Sequence, residues 1–422
     1  MRAGSSSDAA HLRAPRASGH PRCPRLARRT VRVSRRTRTR LDDGARIVLA
    51  ARCGMAAPDR NMLCSMRRHL LQVDEVAALI RSGETLLLAG DESPLSRLPR
   101  GKWIAGTIPY FMTEEGGVVD RQRIFVESLP EGAEYAGVRR YDAEDVSRVY
   151  SELPADAMGV MIAPFSSRVH LSFALNAPTF AKFATAPLFG WISGVHLSDV
   201  GKVRPKVFDG TTAEAMEQHA LVMHVRLPPG MRAEIAILNI FEKGTGPAIV
   251  FPVTGFSATL AEVDGRLCNF AEYVQETVLD TRLPLVADYC GARINVSFQA
   301  VDRARGEVRF YAPVFAGVPY HHARPIADYV DALVSALPTG LTERIALSCN
   351  CVVNFVNSSL EGRTTGDIVG PITFGEIAYQ LLNQTMVYLT VSGADSAVRT
   401  AATAPRGRRP RPRTSRTRPR RS

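Results

Sequence analysis

The chain has 422 residues and a formal net charge of +12, but the charge is unevenly placed. Residues 1–61 hold fifteen Arg and four Asp, and residues 398–422 hold ten Arg and no acid, so the two ends carry +11 and +10 and the middle about −9. No apolar run approaches the roughly 18 residues of a membrane span, and seven irregularly spaced Cys argue against a disulfide framework. These features predict a cytoplasmic protein that does not enter a membrane.

The basic ends, residues 1–65 and 398–422, are predicted to be disordered tails. Their basic residues are all Arg, mixed with Ala, Pro, Ser and Thr. Three interpretations stay open: translation of a GC-rich frame beyond the true gene, with Met62 or Met66 as the start; a phosphate-binding arm; and an acid-poor transit peptide. None of the three gives the tails a folded core.

The spacing of apolar residues predicts both helices and strands in the first half of the chain. The predicted helices cover Asp74–Ile80 and Asp142–Leu153, and a glycine-flanked loop covers Pro109–Gly117. The predicted strands are Thr85–Ala89, Trp103–Ile108, Arg123–Glu127, Met158–Pro164, a strand within Pro187–His196, His219–Leu227 and Glu234–Phe241.

In the second half, Ile249–Val263 predicts two strands that end in the hairpin-type turn Asp264–Gly265. Further helices are predicted at Phe270–Leu279, capped by Asn269, and at Pro325–Leu337. The remaining predicted strands are Ile294–Ala300, Val308–Ala312, Arg344–Val356, Ile372–Ala378 and Thr385–Val391.

Together these elements predict an α/β (α+β) fold with mixed, largely antiparallel sheets. We expect two similar lobes, residues 66–266 and 267–397, with a ligand cleft between them. The glycine-rich segments Gly101–Gly117 and Gly362–Glu376 resemble each other loosely, and we expect them to form that cleft.

One stretch carries a family resemblance. Gly370–Ala378 (GPITFGEIA), followed by Leu382–Thr385 (LNQT), resembles the end of FIST domains, and Trp103–Thr107 (WIAGT) resembles a strand of their first half. The string GTIPYFMTEEGG, residues 106–117, also resembles a bacterial family of unknown function. The FIST resemblance implies a bacterial sensory domain that binds small ligands such as amino acids and signals to a partner protein.

The candidate ligand-binding residues are polar groups in or near the glycine-rich segments. Glu376 would bind an ammonium group and Arg363 a carboxylate, while Glu115 and three neutral hydrogen-bonding residues would complete the site. The predicted set is Thr107, Glu115, Arg363, Thr373, Glu376 and Asn383.

Two other function classes stay open. A hydrolase or transferase would use Glu115 or Cys349, although Cys349 lies in an apolar strand typical of a core. A nucleic-acid-associated protein would act through the basic tails if these are genuine. No motif indicates a cofactor, and His321-His322 has no spacing typical of a metal site.

The first testable consequence concerns the tails. A fragment of residues 66–397 should fold and keep a Tm within about 2 °C of the full chain, because disordered tails add no core. Thermal unfolding of the two proteins, followed by circular dichroism, measures this. A large loss of stability in the fragment would contradict the division.

Overall fold

The computed structural model describes residues 69–289, 292–337, 345–366 and 368–393. In these residues the chain is an α/β protein dominated by strands, and its sheets are mixed but largely antiparallel, so the predicted fold class is confirmed. None of the helices described is long and apolar enough to cross a membrane. The Arg-rich tails lie outside the described residues.

Three stretches of the chain have the same topology: strand, helix, strand, helix, strand, hairpin, strand. Repeat 1 comprises β1 Leu70–Leu71, α1 Val73–Arg81, β2 Leu86–Gly90, α2 Glu92–Leu95, β3 Trp103–Thr107, β4 Tyr110–Thr113, β5 Gly116–Val119 and β6 Ile124–Ser128. Repeat 2 comprises β7 Glu134–Tyr141, a 3-10 turn at Val146–Arg148, β8 Ala157–Pro164, α3 Arg168–Asn176, β9 Leu188–Ser193, β10 Val207–Asp209, β11 Glu214–Met216 and β12 Ala220–Arg226.

Repeat 3 is interrupted after its first strand, β13 Met231–Leu238. The insertion, residues 239–328, comprises β14 Ile249–Val250, β15 Gly255–Ala258, β16 Leu260–Val263, β17 Arg266–Asn269, α4 Phe270–Glu276, β18 Leu285–Tyr289, β19 Ala292–Val296, β20 Phe298–Asp302, β21 Glu307–Val314 and β22 Pro319–His322. The repeat resumes with α5 Tyr329–Ala336, β23 Ile345–Cys351, α6 Val352–Asn357, β24 Gly370–Thr373, β25 Glu376–Ala378, β26 Gln380–Leu382 and β27 Met386–Gly393.

Each repeat builds the larger part of one six-stranded sheet, and the three sheets have equivalent strand orders. The orders are β1-β6-β2-β3-β10-β11, β7-β12-β8-β9-β25-β26 and β13-β27-β23-β24-β4-β5. In each sheet the last two strands are a hairpin that comes from another repeat. Repeat 1 gives its hairpin to the sheet of repeat 3, repeat 2 to that of repeat 1, and repeat 3 to that of repeat 2. The exchange is therefore cyclic, and the fold has pseudo-threefold symmetry.

The inner faces of the three sheets pack against one another, and helices cover their outer faces. Leu87 of the first sheet, Phe189 of the second and Leu347 of the third share one buried apolar cluster. On the outside of the first sheet, α1 packs Val76 and Ile80 against the opposite face, which matches the helical spacing of its apolar residues.

Most of the predicted elements are present, and the helix cap at Asn269 is confirmed, because its side chain accepts a hydrogen bond from the Glu272 N–H. The turn Asp264–Gly265 joins β16 to β17 as predicted. Both of its residues have positive φ angles, 46° and 80°, as the favoured hairpin turns require.

Several predictions of local structure were wrong. The expected loop Pro109–Gly117 contains β4 and the start of β5, because β4 pairs with the distant β24. The expected helix Asp142–Leu153 has only the 3-10 turn, although its apolar residues are buried. The expected strand Arg344–Val356 ends at Cys351, where α6 begins, and Ile372–Ala378 is divided between β24 and β25.

Hydrogen bonding does not follow the boundary expected between residues 266 and 267. β4, β5 and β13, which precede it, belong to one sheet with β23, β24 and β27, which follow it. The two predicted glycine-rich segments do meet, since the Gly117 N–H donates to the Arg363 carbonyl at 3.0 Å.

Gly194 tests the importance of the hairpin exchange. It lies directly after β9 in repeat 2, and a Cβ atom there would overlap the ring of Phe374 from repeat 3. Gly194→Ala should therefore lower the free energy of unfolding by about 1–3 kcal/mol. Gly246→Ala is the matched control, because a Cβ at Gly246 meets no atom within 4 Å. Equal urea midpoints for the two variants would contradict this packing.

Candidate ligand site around Glu376

Three of the six predicted site residues come together in repeat 3. They lie with four other polar residues where the parallel strands β23 and β24 end, under the β25–β26 hairpin and the segment before β27. All seven are buried, and we call them the Glu376 cluster: Asn350, Cys351, Asn354, Thr373, Glu376, Asn383 and Thr385.

Glu376 is a fully buried carboxyl group on the first residue of β25, where it pairs with Trp191 of repeat 2. Its Oε2 accepts hydrogen bonds from the Thr385 backbone N–H at 3.2 Å and the Thr385 hydroxyl at 2.7 Å. Its Oε1 has no partner among the described residues. Burial raises the pKa of Glu376 to about 8, although the two bonds from Thr385 act in the opposite direction.

The side chain of Asn350 forms hydrogen bonds with three neighbouring residues. Its Oδ1 accepts hydrogen bonds from the Cys351 N–H at 2.8 Å, the Asn354 Nδ2 at 3.0 Å and the Tyr329 hydroxyl at 3.3 Å. Asn350 is the penultimate residue of β23 and Asn354 is the third residue of α6, which begins directly after that strand, so the two side chains lie close together. The Thr373 hydroxyl, in the same cluster, donates to the Gly375 carbonyl oxygen at 3.0 Å.

The Cys351 thiol connects Glu376 to Asn383. The thiol interacts with the Glu376 carboxyl group, and the Asn383 Nδ2 donates to its sulfur at 3.5 Å. Burial and the neighbouring carboxyl raise the pKa of Cys351 well above its ordinary value. The thiol is therefore neutral and is not prepared as a nucleophile.

Four polar atoms of the cluster have no hydrogen-bond partner in the described structure. They are Asn350 Nδ2, Asn354 Oδ1, Glu376 Oε1 and Asn383 Oδ1. A buried polar atom without a partner costs about 1–3 kcal/mol, so such atoms are rare in structural cores. Four of the eight such side-chain atoms among the described residues lie in this one cluster.

Thr107, although buried, is satisfied elsewhere. It is the last residue of β3, as Thr373 is the last residue of β24, so the two occupy corresponding places in repeats 1 and 3. Its hydroxyl accepts from the Lys206 N–H at 2.9 Å, and its carbonyl accepts from the Gly194 N–H at 2.7 Å. The structure therefore places Thr107 outside the Glu376 cluster.

Glu115 and Arg363 also lie apart from the cluster. Glu115 is exposed in the two-residue turn between β4 and β5. Arg363, expected to hold a ligand carboxylate, instead donates to both carboxylate oxygens of Asp328, at 2.9 and 2.8 Å. Asp328 caps α5 and precedes Tyr329, so Arg363 supports the helix that contacts Asn350.

Sequence reasoning missed four members of the cluster: Asn350, Cys351, Asn354 and Thr385. The spacing of Asn350 and Asn354 gave no usable signal, because Asn350 belongs to β23 and Asn354 to α6, and the predicted strand Arg344–Val356 covered both. Cys349, the alternative catalytic residue, is buried in the inter-sheet core with the pKa of its thiol raised well above its ordinary value.

Two cavities lie away from the Glu376 cluster. A small one between the three sheets is lined by Leu87, Glu127, Trp191 and Leu347 among others and has about 10 Å³, roughly the space of one water molecule. An open groove in the insertion has about 220 Å³, and two of its lining side chains already have partners. There His322 Nε2 contacts the Asp280 carbonyl at 2.9 Å, and Arg324 lies 3.4 Å from Glu242.

Fold and site together define a strand-rich α/β protein with a buried acid at the junction of two repeats. Within the described ranges, no group of three His, Cys, Asp or Glu side chains is placed to hold a metal ion. The model of DUF6976, a family of unknown function, matches residues 71–392, so the chain belongs to that family. No curated protein and no solved structure matches the chain.

The buried acids predict a pH-dependent stability. The pKa of Glu376 is about 8 in the folded chain and 4.5 in its ordinary state. Both states hold the proton below pH 4.5, and between 4.5 and 8 only the folded state does. Stability should therefore fall as the pH rises through this window, by up to about 1.4 kcal/mol per pH unit for each such acid.

Urea unfolding at pH 5, 6.5 and 8 measures this loss. Glu376→Gln should reduce it, because glutamine does not ionise. Glu127→Gln is the matched comparison: Glu127 is half-buried, yet dense packing and the nearby Glu114 raise the pKa of its carboxyl group to about 8. Parallel stability curves for wild type and Glu376→Gln would show that Glu376 is ionised in the folded chain.

Proposed function

We propose that this protein is a sensory module that binds a small polar metabolite, such as an amino acid, at the Glu376 cluster. The observation that carries the proposal is the set of four unpartnered polar atoms around one buried, unpaired carboxyl group. Glu376 belongs to none of the ion pairs found among the described residues. The resemblance of the surrounding loop to FIST domains supports the same function.

The cluster offers both kinds of hydrogen-bonding group that a polar metabolite needs. Asn354 and Asn383 present amide oxygens, and Asn350 presents an amide N–H group. All of these side chains are buried, so a ligand reaches them only when the surrounding segments open locally. This enclosure favours a small ligand whose polar atoms are all contacted by the protein.

A signal could leave the site through Gln384, which has a positive φ angle of 49° between Asn383 and Thr385. Gln384 is bound to the insertion on three sides. Its Oε1 accepts from the Ser297 hydroxyl at 2.5 Å, its Nε2 donates to the Arg282 carbonyl at 3.0 Å, and its own carbonyl accepts from Asn295 at 3.1 Å. A ligand that moves Thr385 would therefore pull on the insertion, which we propose as the surface for a signalling partner protein.

The enzyme alternative has less support from the geometry. The Cys349 and Cys351 thiols are buried with raised pKa values, and Glu115 lies in an exposed turn. The nucleic-acid alternative depends on tails that lie outside the described residues. A cytoplasmic location remains part of the proposal, and it is supported by the free state of Cys268, Cys349 and Cys351.

Glu376→Gln tests the proposed site, because it keeps the shape of the side chain and removes its ability to ionise. Binding of the cognate metabolite should weaken by about 1.5–3 kcal/mol if Glu376 forms a charge-assisted hydrogen bond. Thermal shift with a panel of amino acids and polar metabolites identifies the ligand, and calorimetry measures the loss.

Glu115→Gln is the control, because it removes the same charge from an exposed turn and should leave binding unchanged. Equal affinities of wild type and Glu376→Gln for every metabolite that binds would exclude the Glu376 cluster as the site. The absence of any hit in a broad panel would refute the sensory function itself.

A further inference from the structure

We propose that the Glu376 cluster recognises a protonated primary amine and that Glu376 releases one proton when the amine binds. This inference rests on the proposed ligand site and names the chemical class of its ligand. In the exchange, Glu376–COOH and R–NH₃⁺ become Glu376–COO⁻ paired with R–NH₃⁺, and one H⁺ leaves to solvent. No other reactant is needed.

The hydrogen bonds within the cluster determine which polar atoms remain available to a ligand. The Cys351 backbone N–H is only a donor, so the atom of Asn350 that receives it is the oxygen. Asn354 must then donate to that oxygen with its nitrogen, which leaves its own Oδ1 unpartnered. These two amide orientations therefore follow from a backbone group and are not interchangeable.

The orientation of Asn383 follows in the same way from the thiol. The Asn383 nitrogen donates to the Cys351 sulfur at 3.5 Å. The Asn383 oxygen is the unpartnered atom. Two amide oxygens, from Asn354 and Asn383, are thus available as acceptors.

Glu376 supplies the third acceptor only after it loses its proton. Its Oε2 already accepts two hydrogen bonds from Thr385, so the proton of the neutral acid sits on Oε1. When that proton leaves, Oε1 becomes a third unpartnered acceptor of the cluster. A primary ammonium group has three N–H donors, which equals the number of acceptors, and the remaining Asn350 N–H can bind a carbonyl or carboxylate of the same ligand.

The electrostatic surroundings of Glu376 also favour a cationic ligand. The titratable groups that interact electrostatically with Glu376 are Cys349 and Cys351 on β23 and Tyr329 on α5, and burial raises the pKa of all three, so they are neutral. The other contact of the carboxyl group is the neutral Thr385. In the described chain no cation is paired with Glu376, so an ammonium ion would be the partner that stabilises its ionised form.

Infrared difference spectroscopy on the full-length protein tests this directly, because a protonated carboxyl group has a carbonyl band separate from that of a carboxylate. The spectrum of wild type minus Glu376→Gln at pH 7 should show the protonated band without ligand. Methylammonium chloride should remove it. Tetramethylammonium, which has the charge but no N–H, and acetamide, which has N–H groups but no charge, should both leave it.

Glu127→Gln provides the internal control, because Glu127 is a second acid with a raised pKa outside the cluster. Its protonated band should be unaffected by methylammonium. The inference is overturned if Glu376 shows no protonated band before ligand is added, if acetamide removes that band, or if methylammonium leaves it in place.

Thermal shift separates this failure from failure of the proposed function. If metabolites stabilise wild type but not Glu376→Gln while the protonated band persists, the site binds ligands and only the proton exchange is wrong. If neither methylammonium nor the metabolite panel stabilises wild type, and the band does not change, both proposals are wrong.

Discussion

Three exchanged hairpins hold this protein together. Each of the three sheets that the repeats build takes four strands from one repeat and two from another, and the exchange closes in a circle. No repeat can complete its own sheet. A neighbouring repeat supplies the hairpin that forms the last two strands of the sheet, and the neighbouring sheets cover much of its inner apolar face. We therefore expect the three repeats to fold as one cooperative unit, since strand pairing and inter-sheet burial are lost together.

The candidate site depends on the same exchange. Glu376 begins the hairpin that repeat 3 gives to repeat 2, so its backbone is fixed by β9 while its carboxyl group faces β23 and Thr385 of its own repeat. The strands that lead to the three junctions end in Thr107, Ser193 and Thr373, all buried. The Lys206 N–H donates to the first hydroxyl, and the Ser193 hydroxyl has no partner among the described residues. The junction of repeat 3 combines its hydroxyl with a carboxyl group and three asparagines. The three junctions are thus equivalent in backbone position and differ in the polar groups that they bring together.

The insertion adds a second constraint to that place. Asn295, Ser297 and the Arg282 carbonyl hold Gln384 in a left-handed conformation that few non-glycine residues adopt. That conformation presents the Thr385 N–H and hydroxyl to Glu376. Four unpartnered polar atoms beside it would cost several kcal/mol in total. The large apolar core between the sheets provides the stability that allows such a cluster to persist.

The sequence alone determined the class of fold, most of the strands, the cap at Asn269 and the turn at Asp264–Gly265. It also pointed to Glu376, Thr373 and Asn383, because a polar run punctuated by glycines is visible locally. Periodicity reports which face of one element is buried, and caps and turns involve residues only a few positions apart.

Only the tertiary structure decided three features. They are the threefold exchange of hairpins, the position of Asn350, Cys351 and Asn354 near Glu376, and the separation of Thr107, Glu115 and Arg363 from the cluster. Strands pair through backbone groups that nearly every residue possesses. The sequence of β4 therefore does not indicate that this strand pairs with β24. The alternation of apolar residues predicts a strand but not the strand with which it pairs.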